Sequence, residues 1–250
     1  NRKVHICQLI SETVKLILTI AVSQQHLRLK IFTMSKLPIL IIIPHGGYRI
    51  PEELEDHTEI EEGDLILSAD TGANEIYSLD DVAAVLNTHI SRLFIDLIRS
   101  PTDLPPRHDQ GVMKNRSFMG TVLFRENRYP DSIAMANLLR RYYFPFHDAI
   151  RKILATGEIR LVIECHTVGA IGGMNAADRD KPRPVVSIQH RYQKNNNLID
   201  SCSADTADTF LTHFRKQFSD ADCVAEPPFT LLDRSISGTL VQEHAEKTPY

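Results

Sequence analysis

From Leu37 onward the chain alternates short apolar runs with longer amphipathic stretches. Leu37–Ile43 is a continuous, isoleucine-rich run ending in Pro44-His45-Gly46-Gly47, the pattern of a buried strand that runs into a sharp turn. Leu93–Leu97, Ile159–Cys165 and Pro184–Ile188 read the same way, and Cys223–Ala225 does so more weakly. Helical spacing fills the intervals. Asp80–His89 carries Val82, Ala83, Val85 and Leu86, and Ala204–Phe218 sets Ala207, Phe210, Leu211 and Phe214 on one face. Ser132–Leu154 is a third helical stretch, which Pro145 must kink or restart. Strands alternating with helices predict the α/β class: a single three-layer domain with a mainly parallel or mixed central sheet flanked by helices. The loop-rich stretch Ser100–Pro130 is too long for a passive connector and is expected to shape a site.

Composition narrows this picture without redirecting it. The 250 residues carry a formal net charge of −4, which argues against a dedicated nucleic-acid binder. No run approaches the roughly 20 apolar residues that span a bilayer. Four scattered cysteines form neither a disulfide framework nor a cysteine zinc module, so a soluble, reduced, cytoplasmic protein is the expectation. Charge is unevenly divided. Residues 1–33 hold five basic side chains against one acidic one, +4, and the remainder carries −8. The same 33 residues lack Gly and Pro, and Met34-Ser35-Lys36 leads directly into the first strand. Residues 1–33 are therefore expected to be an upstream or targeting segment, and residues 34–250 the domain. Nothing in the pattern fixes an oligomeric state.

In open α/β sheets, ligands gather beyond the carboxyl ends of the strands. His45, Asp96, Arg99, Glu164 and His166 fall at those ends. Strand alternation puts Glu164 and His166 on one face, with Cys165 turned away. An acid and an imidazole together suit a zinc site, although a Glu–His pair capping the sheet is the plainer reading. His45 alone is equally consistent with an incidental turn residue. The fork of Arg99 suits a carboxylate substrate, whereas Arg92 and Asp96 can simply pair with each other. Arg107, His108, Lys114, Arg116, Arg125 and Arg128 make the long loop basic; it reads as solvated, or as a wall of an acidic-substrate pocket to which Arg107 contributes. His147, after Tyr142–Phe146, reads as a packed helix residue, and Gly169…Gly172-Gly173 lacks the strand–turn–helix setting of a dinucleotide site.

The ordered motifs of the chain resemble the N-formylglutamate amidohydrolases, a group similar in fold to zinc carboxypeptidases and aspartoacylase-type deacylases. They are Pro44-His45-Gly46-Gly47 with Pro51, Asp70-Thr71-Gly72, Ser91-Arg92 leading to Asp96-Leu97-Ile98-Arg99, and Tyr143 with Pro145-Phe146-His147. Glu164-Cys165-His166-Thr167, Cys202-Ser203, Pro227-Pro228-Phe229 and Ser237-Gly238 complete the set. The resemblance implies one zinc ion held by two histidines and a carboxylate, a metal-polarised water attacking an amide carbonyl, and an arginine gripping the substrate's carboxylate. His45 and His166 map onto the histidines and Arg99 onto the arginine of the family's Asp-Leu-Asn-Arg motif. The expected substrate is a small acidic N-acyl amino acid, with no nucleic-acid or membrane partner.

The chain departs from the pattern in three places. Tyr48 stands where carboxypeptidases place their carboxylate ligand, which leaves Asp70 as the first choice for that ligand and Glu164 as the second. Ile98 replaces the family's Asn. The late strand bearing the family's general-base Glu is expected to be absent, and Glu243 and Glu246 look like solvated loop residues. Glu164 and Arg92 are the catalytic candidates. A truncated or catalytically degenerate member that binds a carboxylate without turnover is the alternative expectation.

Overall fold

The computed structural model describes residues 36–173, 178–194, 197–218 and 223–225. Residues 1–33, Pro227-Pro228-Phe229, Ser237-Gly238, Glu243 and Glu246 lie outside them.

Strand β1 (Leu37–Ile43) forms the centre of a three-stranded sheet, hydrogen-bonded in parallel to β2 (Val82–Asn87) and to β3 (Leu161–Glu164). Ile42 lies opposite Leu86 on one side and Glu164 on the other, so all three strands end along one edge. Alternation along β1 divides the core. Leu40 and Ile42 face a large cluster containing Leu93, Phe94, Leu97, Ile150 and Leu154. Ile41 and Ile43 face a smaller one with Ala73, Leu79, Val82 and Cys165.

Helices α1 (Glu62–Ser68) and α2 (Ala73–Tyr77) follow β1; α3 (Ser132–Leu138) and α4 (Phe144–Leu154) precede β3. Asp131 caps α3 by accepting from the Ile133 and Ala134 amides. A single π-helical turn, Leu139–Tyr143, joins α3 to α4 where Pro145 removes an amide donor, so the expected restart takes the form of a widened turn. Beyond β3, β4 (Val186–Ile188) pairs in parallel with β7 (Cys223–Ala225), and β5 (Arg191–Lys194) pairs antiparallel with β6 (Asn197–Asp200). Helix α5 (Ala204–Arg215) opens on Ser203, whose hydroxyl accepts from the Thr206 amide. Among the described residues no helix is long and apolar enough to cross a membrane.

Two sequence expectations are corrected. Asp80–His89 supplies strand β2 rather than a helix. Its five-residue apolar run, Val82–Leu86, satisfies either period, and parallel pairing with one edge of β1 decides between them. Leu93–Leu97 is a buried loop rather than a strand. The Ser91 carbonyl accepts from the Phe94 and Ile95 amides, curling the chain, while Asp96 and Lys114 form main-chain hydrogen bonds to Val112 and Leu93. Its apolar side chains fill the larger core cluster without any ladder.

Ile42 touches the core from the central strand with no solvent exposure. Ile42→Ala is expected to lower stability by about 2–5 kcal/mol in urea unfolding, the range for a buried truncation. A loss below about 1 kcal/mol would contradict this placement of β1.

Candidate metal centre

The carboxyl edge of the sheet gathers the polar residues. His45 lies two residues beyond β1, and its side chain is almost wholly buried (1% exposed). The chain can turn there because Gly47 approaches the backbone of His89 so closely that a Cβ would sit 2.3 Å from its carbonyl carbon. Arg49 then continues alongside Ile90 in a short parallel bridge. A cleft of about 270 Å³ opens beside this turn, lined in part by Tyr48, Arg49, Asn74, Asn87 and His89. Asp70, in the turn between α1 and α2, is drawn in by its own amide, which donates to the His45 carbonyl at 2.9 Å. His166 follows β3; Tyr77 donates its hydroxyl to the His166 carbonyl at 3.1 Å, and Thr167 donates to the Thr71 carbonyl at 3.0 Å.

These backbone ties converge three side chains. One potential ligand atom from each of His45, Asp70 and His166 lies within 4.8 Å of the others. Asp70 Oδ2 is 2.7 Å from His166 Nδ1 and 3.7 Å from His45 Nδ1, and the two imidazole rings are 5.0 Å apart. Each imidazole turns its Nε2 to a carboxylate: His45 to Asp96 Oδ1 at 2.9 Å, His166 to Glu164 Oε1 at 3.1 Å. For His45 this is the arrangement that orients a metal-binding histidine, with Nε2 turned to an acid and Nδ1 left as a lone pair, whereas His166 meets a carboxylate at both ring nitrogens. His45 Nδ1 is buried with no hydrogen-bond partner among the described residues. An orphaned imidazole nitrogen facing a carboxylate and a second imidazole fits a divalent cation, and the donor set of two nitrogens and one oxygen suits zinc. The structure thus brings Asp70, rather than Glu164, together with both histidines; Glu164 backs His166 from the other side of its ring.

Electrostatics follow from this enclosure. Burial raises the Asp70 carboxyl, but the hydrogen bond from His166 and the nearby His45 imidazole outweigh it and hold the group well below the usual carboxylate range. Burial opposes the charge of His166, yet its bonds to Asp70 and Glu164 lift it to about 9. Asp96, wholly buried, is also held low, because Arg92 and Lys114 overcome its desolvation. Burial brings the Lys114 ammonium down to about 8 against the pull of Asp96.

The arginines divide as their surroundings dictate. Arg92 lies 3.1 Å from Asp96 Oδ2 and 3.7 Å from Asp70 Oδ1, with its guanidinium over the Phe118 ring. It pairs with Asp96 as the sequence allowed, but across a turn instead of along a strand face. Arg99 Nε stays 4.0 Å from Asp96 Oδ2 and has no hydrogen-bond partner among the described residues. Its side chain is also the more open, 27% exposed against 16% for Arg92. The π-helical turn and α4 fix the loop beneath Arg99: Tyr143 donates to the Arg99 carbonyl at 2.8 Å, and His147 Nε2 lies 2.9 Å from the Leu97 carbonyl. His147 is thus the packed helix residue expected of it. Arg107 is exposed on a turn of the long loop, outside the cluster.

Two contributors escaped the sequence reading. Lys114, grouped there with a solvated basic loop, is buried against Asp96; the signal for it was the apolar Val112-Met113 immediately before it. Tyr77 carried no sequence signal, because its role depends on α2 packing beneath the His166 turn.

The sequence profile of the N-formylglutamate amidohydrolase family matches residues 37–249. The N-formylglutamate deformylase of Pseudomonas putida is 29% identical over 127 residues, 49% of this chain and 47% of that protein. Its counterpart in Pseudomonas aeruginosa is 29% identical over 129 residues, covering 50% and 48%. The matched region spans about half the length of these curated relatives. Among solved structures, the N-formylglutamate amidohydrolase of Ralstonia eutropha superposes with a TM-score of 0.59 at 16% identity, over 84% of this chain and 76% of that one. A gene product of Agrobacterium tumefaciens gives 0.57 at 17%, over 84% and 75%. These two likenesses concern the fold. With the profile matched along nearly all of the chain from β1 onward, the protein belongs to the N-formylglutamate amidohydrolase family.

Proposed function

We propose that this chain hydrolyses the amide bond of a small acidic N-acyl amino acid, with N-formylglutamate as the first candidate, using a zinc ion held by His45, Asp70 and His166. The observation that carries the reading is the convergence of those three side chains within 4.8 Å, beside an arginine whose Nε has no hydrogen-bond partner among the described residues. A zinc ion so bound supplies a polarised water of lowered pKa and polarises the amide carbonyl.

The chain's own residues do the rest. Arg99 offers its guanidinium to a substrate carboxylate, since Asp96 lies at the limit of its reach and is already occupied by Arg92 and Lys114. Arg92 lies between Asp70 and Asp96 and, with Lys114, holds Asp96 as a carboxylate. Glu164 and Asp96 face the Nε2 of the two imidazoles and, with zinc bound, would accept from Nε2–H so that each ring gives Nδ1 to the ion. Phe118, stacked over Arg92, shields that cation from water.

The purified chain is expected to bind one equivalent of zinc and to release formate from N-formylglutamate, with both properties lost on chelation and in His45→Ala, Asp70→Ala and His166→Ala. Metal analysis and a formate assay decide it, and turnover by fully demetallated protein would sink the assignment. Tight carboxylate binding without formate release would instead favour a binding protein that has lost catalysis. Arg99→Ala is expected to raise KM by roughly 10- to 100-fold with a smaller change in kcat, the loss of one charge-assisted contact. An unchanged KM in steady-state kinetics would remove Arg99 from substrate recognition.

A further inference from the structure

Lys114 is a buried cation that charge balance alone does not require. Its side chain is 1% exposed, and its ammonium meets three acceptors: Asp96 Oδ2 at 2.8 Å, the Gly111 carbonyl at 3.1 Å and the Arg92 carbonyl at 3.2 Å. Those are the three hydrogen bonds an ammonium can donate. Burying a primary ammonium is costly, and Arg92 already neutralises Asp96 at 3.1 Å, with Arg99 close by. A residue retained at that cost needs a further reason.

The reason lies in how the Asp96 carboxylate is divided. Oδ2 receives both cations, Lys114 and Arg92. Oδ1 receives His45 Nε2 at 2.9 Å and the Ile98 amide at 3.3 Å. Rotation of the carboxylate about its last bond would take Oδ1 off the imidazole. Arg92 resists this weakly, since its guanidinium is shared with Asp70 and Phe118 at the open side. Lys114 resists it firmly, because two main-chain carbonyls anchor its ammonium. Its own segment is also bonded to the Asp96 loop, Lys114 N–H to the Leu93 carbonyl and Asp96 N–H to the Val112 carbonyl.

We propose that Lys114 is a positioning residue for the metal centre: it pins Asp96 Oδ2 so that Oδ1 holds His45 in the tautomer and orientation that present Nδ1 to the cation. The inference rests on the zinc reading above. It places a determinant of metal affinity 69 residues along the chain from the ligand it serves, in a loop with no regular structure.

Zinc dissociation constants of the full chain, measured by competition with a chromogenic chelator, test it through a double-mutant cycle. Lys114→Met is expected to weaken zinc binding by about 10- to 100-fold, the effect of losing a partner that orients a ligand. Lys114→Gln, which keeps a donor for Asp96, gives an intermediate loss. In an Asp96→Asn background the same Lys114 substitutions cost less than about 2-fold more, because the route to His45 is already cut. A purely structural lysine would lower the melting temperature and leave the constant of the folded protein unchanged; that result, or equal losses in both backgrounds, overturns the proposal. Should the Met variant not fold, the Gln variant in the two backgrounds decides by the same criterion. Wild-type protein that binds no zinc overturns this inference together with the functional reading. Zinc binding that is lost in His45→Ala but untouched by either Lys114 substitution overturns this inference alone.

Discussion

A single buried carboxylate organises the site. Asp96 has no exposed surface, and a charge in that position is tolerated only where every lone pair is met. Meeting them takes Lys114 and Arg92 on one oxygen and His45 with the Ile98 amide on the other. These partners come from three separated stretches of chain, so satisfying one side chain fixes the loop after β1, the loop around Leu93–Arg99 and the segment at Gly111–Lys114 relative to one another. The last two have no strand or helix to hold them. Main-chain bonds between Asp96 and Val112 and between Lys114 and Leu93 close the same circuit.

The sheet supplies what Asp96 cannot. Because β1 and β3 are parallel neighbours in register, His45 and His166, each two residues past its strand, emerge side by side with rings 5.0 Å apart. Asp70 arrives through a backbone bond to His45 itself. Alternation then separates tasks along the strands: Cys165 packs into the smaller core cluster while Glu164 reaches the imidazole on the other face. Rigid strands set the coarse spacing, and hydrogen-bonded carboxylates set the ring orientations.

How much of this could be read beforehand depended on how local the signal was. β1 announced itself as an apolar run ending at a glycine turn, and the Glu164–His166 spacing on a strand end survived intact. Asp70 was legible only through the order of motifs, since nothing near it in sequence points to a buried carboxylate. The exchange of β2 and Leu93–Leu97 shows the limit of periodicity. Val82–Asn87 fits either period, and Leu93–Leu97 is apolar because it is buried, whatever its backbone does. Lys114 was misread for the converse reason. A lysine among arginines looks solvated until a carboxylate 18 residues earlier folds back onto it.

The charges of the assembled site bear on what it can accept. With both imidazoles neutral, as zinc ligands would be, Arg92, Arg99 and Lys114 balance Asp70, Asp96 and Glu164, leaving the protein groups near neutrality inside a domain that carries −8 over residues 34–250. On the zinc reading the cation then sets the local surplus, about two positive charges, which matches a substrate bearing two carboxylates. Ile98 constrains how the second of these is gripped. Its side chain packs against the larger core cluster and only its amide serves the site, by donating to Asp96. On the proposed function, Arg99 is the guanidinium left open on that side among the described residues, because Arg92 already pairs with Asp96. The buried lysine and the open arginine are two consequences of one constraint: Asp96 must be held at Oδ2 without consuming the cation that, on the same reading, would meet the substrate.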